Sequence, residues 1–235
     1  MVKKIFRAGL GFWAYPIFRY LRRRALLHVS SAAFNERSVE YRFAFEAIQK
    51  NGYGHALDVG TGESAFPALL RSCGLKTTAI DNIRDYWTSG LLNFSWWVND
   101  HSILRKLDGK YDYIFLISTL EHIVDYRCAL INSVDALNPG GRLIVTSPFG
   151  NSYIANVYEE PDSWGHGKYE FPCQVFSDET LIQSMKDAGM RLDREEYWSF
   201  WTGPLWSLGE KRPAAIRASS GAESVDLGLF EFVKQ

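Results

Sequence analysis

The stretch from Ala56 to Gly74, Ala-Leu-Asp-Val-Gly-Thr-Gly-Glu-Ser-Ala-Phe-Pro-Ala-Leu-Leu-Arg-Ser-Cys-Gly, constrains this chain more than any other. Its beginning, His55 to Val59, predicts a short buried strand that ends in glycines at 60 and 62. Apolar residues then recur at Phe66, Leu69 and Leu70, the helical spacing, until Gly74 stops the run. Ser64 is the expected N-cap, and Pro67 falls in the first turn, where a missing N–H costs little. A strand that turns through two glycines into a helix lets a ligand approach the backbone closely. Asp58 stands just before those glycines, where a carboxylate suits a cation and repels a pyrophosphate. The same turn also reads as G-x-G-x-x-A from Gly60 to Ala65, the dinucleotide pattern. By itself the turn does not choose between these ligands, or between either and a plain tight turn.

The next segments extend the pattern. Lys76 to Asp81 predicts a β-branched strand ending in an acid about 20 residues past the glycines, the place of a carboxylate that accepts ribose hydroxyls. As an alternative, Asp81 caps the helix after it. Phe94 to Val98 predicts a third strand, followed by Asn99-Asp100-His101, and Asp100 would also serve as N-cap to a helix over Ile103 to Leu107. Tyr111 to Leu120 is the most hydrophobic strand and is expected at the centre of a parallel sheet. It runs into Glu121-His122-Ile123, then a helix from Arg127 to Leu137, the turn Asn138-Pro139-Gly140-Gly141 and a strand from Arg142 to Ser147. Upstream, residues 36–50 predict a helix with Val39, Phe43 and Ile48 inward. Glu40 and Tyr41 are its candidates for ligand contact; the plainer reading is a covering helix with solvated charges. Downstream, a helix is expected from Asp178 to Gly189, with strands near Arg191–Phe200 and Leu227–Val233.

The string Leu120-Glu121-His122-Ile123, then Ala129-Leu130, then Leu137-Asn-Pro-Gly-Gly-Arg-Leu-Ile-Val145, taken with Asp58 and the glycine turn, resembles the class I S-adenosylmethionine-dependent methyltransferases over residues 36–147. The resemblance implies an α/β fold: a Rossmann-like, seven-stranded, mostly parallel sheet with helices on both faces, closed by an antiparallel final pair. It implies S-adenosylmethionine as cofactor, with Asp58, Gly60, Thr61 and Gly62 at its aminoacyl end, Asp81 at the ribose and Asp100 at the adenine amino group. Asn82, His101, Ser118 and Leu120, which continue these strand ends, are counted on the same side. The family's usual third glycine is Ser64 here, which tightens the turn. The domain reading is a helical extension over 1–50 and a methyltransferase domain over 51–235.

Composition adds three limits. Cys73, Cys128 and Cys173 are scattered, with no C-x-x-C pair, so neither a disulfide framework nor a metal site is expected and a reducing, cytoplasmic setting fits. The net charge of −1 conceals an asymmetry: before Glu36 the basic residues Lys3, Lys4, Arg7, Arg19, Arg22, Arg23 and Arg24 meet no acid. The uncharged run Ala8 to Phe18 is too short to span a bilayer, which takes about 20 residues. Residues 1–28 read either as an interfacial segment on the inner face of an anionic membrane or as a helix packed on the domain.

The chemistry then falls to few residues. A general base near neutrality assists transfer to a hydroxyl. His122 lies just past the central strand, and His166 lies in the loop Trp164-Gly165-His166-Gly167, which could close over the site. The alternatives are packing for His122 and solvent exposure for His166, while Glu121 orients a histidine or caps a helix. No Asn-Pro-Pro-Tyr-type sequence follows the central strand, which disfavours methylation of nucleobase amino groups. Residues 149–206 carry Tyr153, Tyr158, Trp164, Tyr169, Phe171, Tyr197, Trp198, Trp201 and Trp206, faces suited to sugar rings, lipid chains or aromatic acceptors. Glu159, Glu160 and Asp162 in this region argue against nucleic acid as a partner. The glycine turn and the Arg37-Ser-Val-Glu-Tyr41 helix resemble methyltransferases found with glycan and surface-polysaccharide assembly. The expected activity is O-methylation of a small molecule, a sugar or a glycolipid. The rivals are a nicotinamide-dependent oxidoreductase, against which Asp58 and the missing Tyr-x-x-x-Lys pair weigh, and a non-catalytic methyltransferase-like scaffold at the membrane surface.

Overall fold

The central strand shows why this sheet needs cover on both faces. In β4 (Tyr111–Ile117) the side chains of Tyr113, Phe115 and Ile117 enter one apolar cluster, while Ile114 and Leu116 enter another. A strand's side chains alternate between faces, so a run buried throughout must be covered twice. The structure, a computed structural model, describes residues 16–17, 20, 36–62, 64–82, 98–219 and 225–235. One face carries α1 (Arg37–Asn51) and α2 (Phe66–Ser72), and the other carries α3 (Tyr126–Ala136) with the helical turns after Ser177.

The other strands are β1 (His55–Val59), β2 (Lys76–Asp81), β3 (Val98–Asp100), β5 (Leu137–Pro148), β6 (Met190–Trp201), β7 (Lys211–Ala218) and β8 (Leu227–Lys234). Their order is β3-β2-β1-β4-β5-β8-β6-β7. The first five are parallel, and β8 runs antiparallel between β5 and β6. Among the described residues the sheet therefore has eight strands where seven were expected. The additional β7 lies on the edge, antiparallel to β6. It carries Lys211, Arg212, Pro213 and Arg217 and has no buried face, so no alternation announces it; proline is tolerated at an edge.

Local corrections follow the same logic. Helix α2 begins at Phe66 with Ala65 at the cap position; Ser64 lies one residue too early and receives a long bond from Phe66 N at 3.4 Å. Residues 103–107 form turns and not a helix, held by Arg105 N to Ser102 O at 3.0 Å and Leu104 N to Ser102 Oγ at 3.2 Å. Asp100 therefore has no helix to cap there. The helix expected from Asp178 opens as a π-helical segment, Asp178–Gln183, with a Ser177–Thr180 capping box, before α4 (Ser184–Asp187).

The chain divides into two units, Met1–Phe34 and Asn35–Gln235. The boundary falls before α1 and not after it, because α1 buries Val39, Phe43, Ala44, Ala47 and Ile48. Of the first unit only Pro16, Ile17 and Tyr20 are described, helical and exposed. Most of the basic segment 1–28 and the expected strand residues Phe94–Trp97 lie outside the described residues. No helix among the described residues is long and apolar enough to cross a membrane.

Candidate functional site

The strand order reverses between β1 and β4, and a crevice opens at the carboxyl ends of strands at such a point. Gly60 ends β1 there with φ +69°, a conformation few other residues adopt. A Cβ at this position would lie 2.2 Å from Thr119 Cγ2, so only glycine lets the β1 and β4 ends close on each other. Asp81, at the end of β2, accepts from Gly62 N at 2.6 Å and fixes the turn from the neighbouring strand. These strand ends line a cavity of about 600 Å³.

Seven of the expected cofactor residues meet in it: Gly60, Thr61, Gly62, Asp81, Asn82, His101 and Ser118. Asp58 is buried immediately behind the turn. Leu120 is fully buried in the core, where it packs. Asp100 is exposed at the end of β3 and does not line the cavity. Of the expected catalytic residues, His122 lines the cavity and Glu121 is buried beside it in the helical turn Leu120–His122. His166 stands apart. It is exposed, and its Nδ1 lies 3.1 Å from Tyr158 O, on a loop tied down by Trp164 N donating to Ser207 O at 2.9 Å.

The sequence concealed the role of α1. Glu40 is fully buried, not solvated, and accepts from Ser118 Oγ at 2.6 Å, Thr146 Oγ1 at 2.7 Å and Arg37 at 2.7 Å. One carboxylate thus joins the helix to the ends of β4 and β5 and to Arg37, which lines the cavity. Ser118 has φ +45°, uncommon outside glycine, and its N–H donates to Thr146 O at 3.0 Å. A signal was present: Glu40 shares its helical stripe with Phe43, Ala44, Ala47 and Ile48, where a charge must find partners.

Four buried polar atoms at or beside the cavity have no hydrogen-bond partner among the described residues: Asp58 Oδ2, Thr61 Oγ1, His101 Nε2 and Glu121 Oε2. Buried polar groups are ordinarily paired, so the site fits a polar ligand with a cationic end. Burial lifts the Asp58 carboxyl to about 7 and the Glu121 carboxyl to about 8. Burial also lowers His122, against the pull of the Pro172 carbonyl. His122 Nδ1 donates to Pro172 O at 2.8 Å, so Nε2 is the basic nitrogen, 4.0 Å from Glu121 Oε1.

These features define a class. Residues 23–195 match the methyltransferase domain family, and the chain belongs to it. That family is the class I S-adenosylmethionine-dependent methyltransferases and not a nicotinamide-dependent one. Among curated relatives, the ubiquinone biosynthesis O-methyltransferase of Coxiella burnetii is 27% identical over 111 residues, 44% of this chain and 47% of the relative. The chain thus spans about half the length of the curated relatives it matches. Among solved structures, the N-methyltransferase NodS from Bradyrhizobium japonicum WM9, in complex with S-adenosyl-L-homocysteine, superposes with TM-score 0.53 at 16% identity, covering 92% of this chain and 97% of that one. The Burkholderia thailandensis 1,6-didemethyltoxoflavin-N1-methyltransferase gives 0.55 at 12%, covering 98% and 90%. At such identities the likeness establishes the fold.

The two lifted carboxyls make a pH prediction. Asp58 and Glu121 keep protons in the folded chain where they have lost them in the unfolded chain, whose values are near 3.8 and 4.5. Their contribution is complete below those values and is lost as pH rises through 7 and 8. Each group is expected to remove up to about 1.4 kcal/mol of stability per pH unit over that window. Urea titrations from pH 5 to 8 would measure this, and Asp58→Asn and Glu121→Gln should each flatten the slope. Asp226, lifted to about 6 by burial, acts in the same direction and is untouched by either variant. An unaltered slope in both variants would mean that these carboxyls titrate normally.

Proposed function

We propose that this protein methylates an oxygen of a small acceptor, a sugar or the sugar of a glycolipid. The observation that carries the reading is His122, a cavity-lining imidazole whose Nδ1 is committed to Pro172 O and whose Nε2 is left basic. S-adenosylmethionine, when bound, supplies an electrophilic methyl carbon. Asp81 would hold the ribose, Arg37 the carboxylate of the aminoacyl end, and the glycine turn with Asp58 its ammonium. The chain's own part would be to hold the acceptor oxygen in line with that carbon, opposite the sulfur that would leave as a neutral thioether, and to take the oxygen's proton. The hydroxyl proton passes to His122 Nε2, and the imidazolium so formed stands beside Glu121, whose ionised form then becomes favoured. Most of the remaining rate gain would come from alignment, the role of the rigid strand ends.

The aromatic and acidic lobe after β5 supports a neutral, polyhydroxylated acceptor over an anionic one. The basic, aromatic segment 1–28 supports a substrate presented at an anionic membrane surface; loss of vesicle binding on its deletion, with cofactor affinity retained, would bear that out. The central test is calorimetric titration with S-adenosylhomocysteine, with NAD as control, followed by transfer of labelled methyl from S-adenosylmethionine to sugars and to amines. Label in amines alone would replace oxygen by nitrogen as the target. Cofactor binding without transfer to any acceptor would favour the scaffold.

A further inference from the structure

The His122 ring meets Phe171 edge-on, with centroids 4.8 Å apart. Phe171 meets Tyr169 at 5.0 Å, and Tyr169 meets Trp164 at 5.8 Å. Trp164 is 47% exposed and Tyr169 40%. Rings therefore run without a break from the base in the cavity to solvent. Single exposed aromatics need no explanation, but a connected run of rings that starts on a cavity-lining imidazole and ends in solvent does. We propose that this track is a second acceptor subsite, holding the neighbouring unit of an oligosaccharide whose terminal unit is methylated beside His122. The proposal rests on the saccharide reading given above.

The track is built, not merely exposed. Tyr158 lies beneath it, 5.2 Å from Tyr169, and the loop that bears Trp164 sits directly on that ring. A Cβ on Gly165 would come within 2.0 Å of Tyr158 Cδ1, so glycine is what allows this seating. The buried hydroxyls of Ser163 and Ser207 bond at 2.6 Å, and Val157 N donates to Cys173 O at 2.8 Å, closing the lobe at both ends. A platform fixed before binding has little ordering entropy left to lose.

Charge selects the occupant. Glu159, Glu160, Asp162 and Glu170 are exposed along this segment against Lys168, whose ammonium lies 4.3 Å from the Trp164 ring centroid. Such a rim repels phosphates and other anions. Carboxylates accept hydrogen bonds from hydroxyls, and aromatic faces pack on the C–H faces of a pyranose, so together they fit a neutral sugar. An isoprenoid chain would use the rings and leave the carboxylates idle.

The test compares the full chain with Trp164→Ala and Tyr169→Ala, using S-adenosylmethionine labelled in its methyl group. Neutral mono-, di- and trisaccharides are the acceptors, with farnesol as the competing class. Wild-type protein is expected to prefer the longer saccharides. In each variant KM for the trisaccharide should rise about tenfold, the scale of one lost aromatic contact, with kcat, monosaccharide kinetics and S-adenosylhomocysteine affinity unchanged. Equal KM values in all three proteins, or no preference for length, would overturn the subsite and leave saccharide methylation standing. Label in farnesol alone, or in no saccharide, would remove the saccharide reading and the subsite with it.

Discussion

His122→Ala is expected to lower the methyl-transfer rate about 10²- to 10⁴-fold, the usual worth of a general base, while S-adenosylhomocysteine affinity stays nearly unchanged. The imidazole lines the cavity beside the central strand's end, and its base nitrogen is selected by the Pro172 carbonyl. The pH profile should separate this role from packing. Wild-type kcat/KM should rise with pH through a group below the usual histidine range, as burial of His122 requires, and that limb should vanish in the variant. His122→Gln, which preserves volume, should be as slow as the alanine variant. A variant within a few-fold of wild type would make proximity alone sufficient, with His122 only a wall of the cavity.

Glu40→Ala is expected to cost about 2–4 kcal/mol of folding stability and to weaken cofactor binding at the same time. The substitution leaves the buried Thr146 hydroxyl and Ser118 Oγ without the acceptor they share. Arg37 keeps 40% of its side chain exposed, so losing Glu40 adds less there than at a fully buried ion pair. Ser118, no longer clamped, is free to leave its φ of +45°, and the cavity wall changes with it. Glu40→Gln retains shape and an acceptor oxygen and should recover more than half of the loss. Urea denaturation and calorimetry on the same samples would read both effects. Normal stability with weakened cofactor binding would assign Glu40 to the ligand alone, and an unaffected protein would make the clamp dispensable.

The parts of the site that were readable have local causes. Gly60, Gly62 and Asp81 announce themselves because a strand, a tight turn and a strand-end acid follow each other within one βαβ unit. The central strand was visible from its apolar run, and His122 from its position just after it. What was not readable lies in pairings between distant segments. Glu40 has the same sequence neighbours whether it faces water or Thr146, 106 residues away. Gln174 is equally silent in sequence, yet its amide donates to Ile123 O at 2.8 Å and its carbonyl accepts from Tyr153 at 2.7 Å, fastening the His122 turn to the aromatic lobe. His166 drew notice as a histidine in a glycine loop, and only the path of that loop sets it apart from the cavity.

The sequence by itself determined the parallel half of the sheet and the glycine turn with its acids, because hydrophobic period and turn chemistry act over a few residues, while the class of cofactor followed from the family resemblance over residues 36–147. The tertiary structure alone decided the eighth strand, the burial of Glu40, the nitrogen of His122 that stays basic and the track from Phe171 to Trp164. Each of these depends on which polar atom or ring is brought opposite another across the fold, and local spacing carries no record of that.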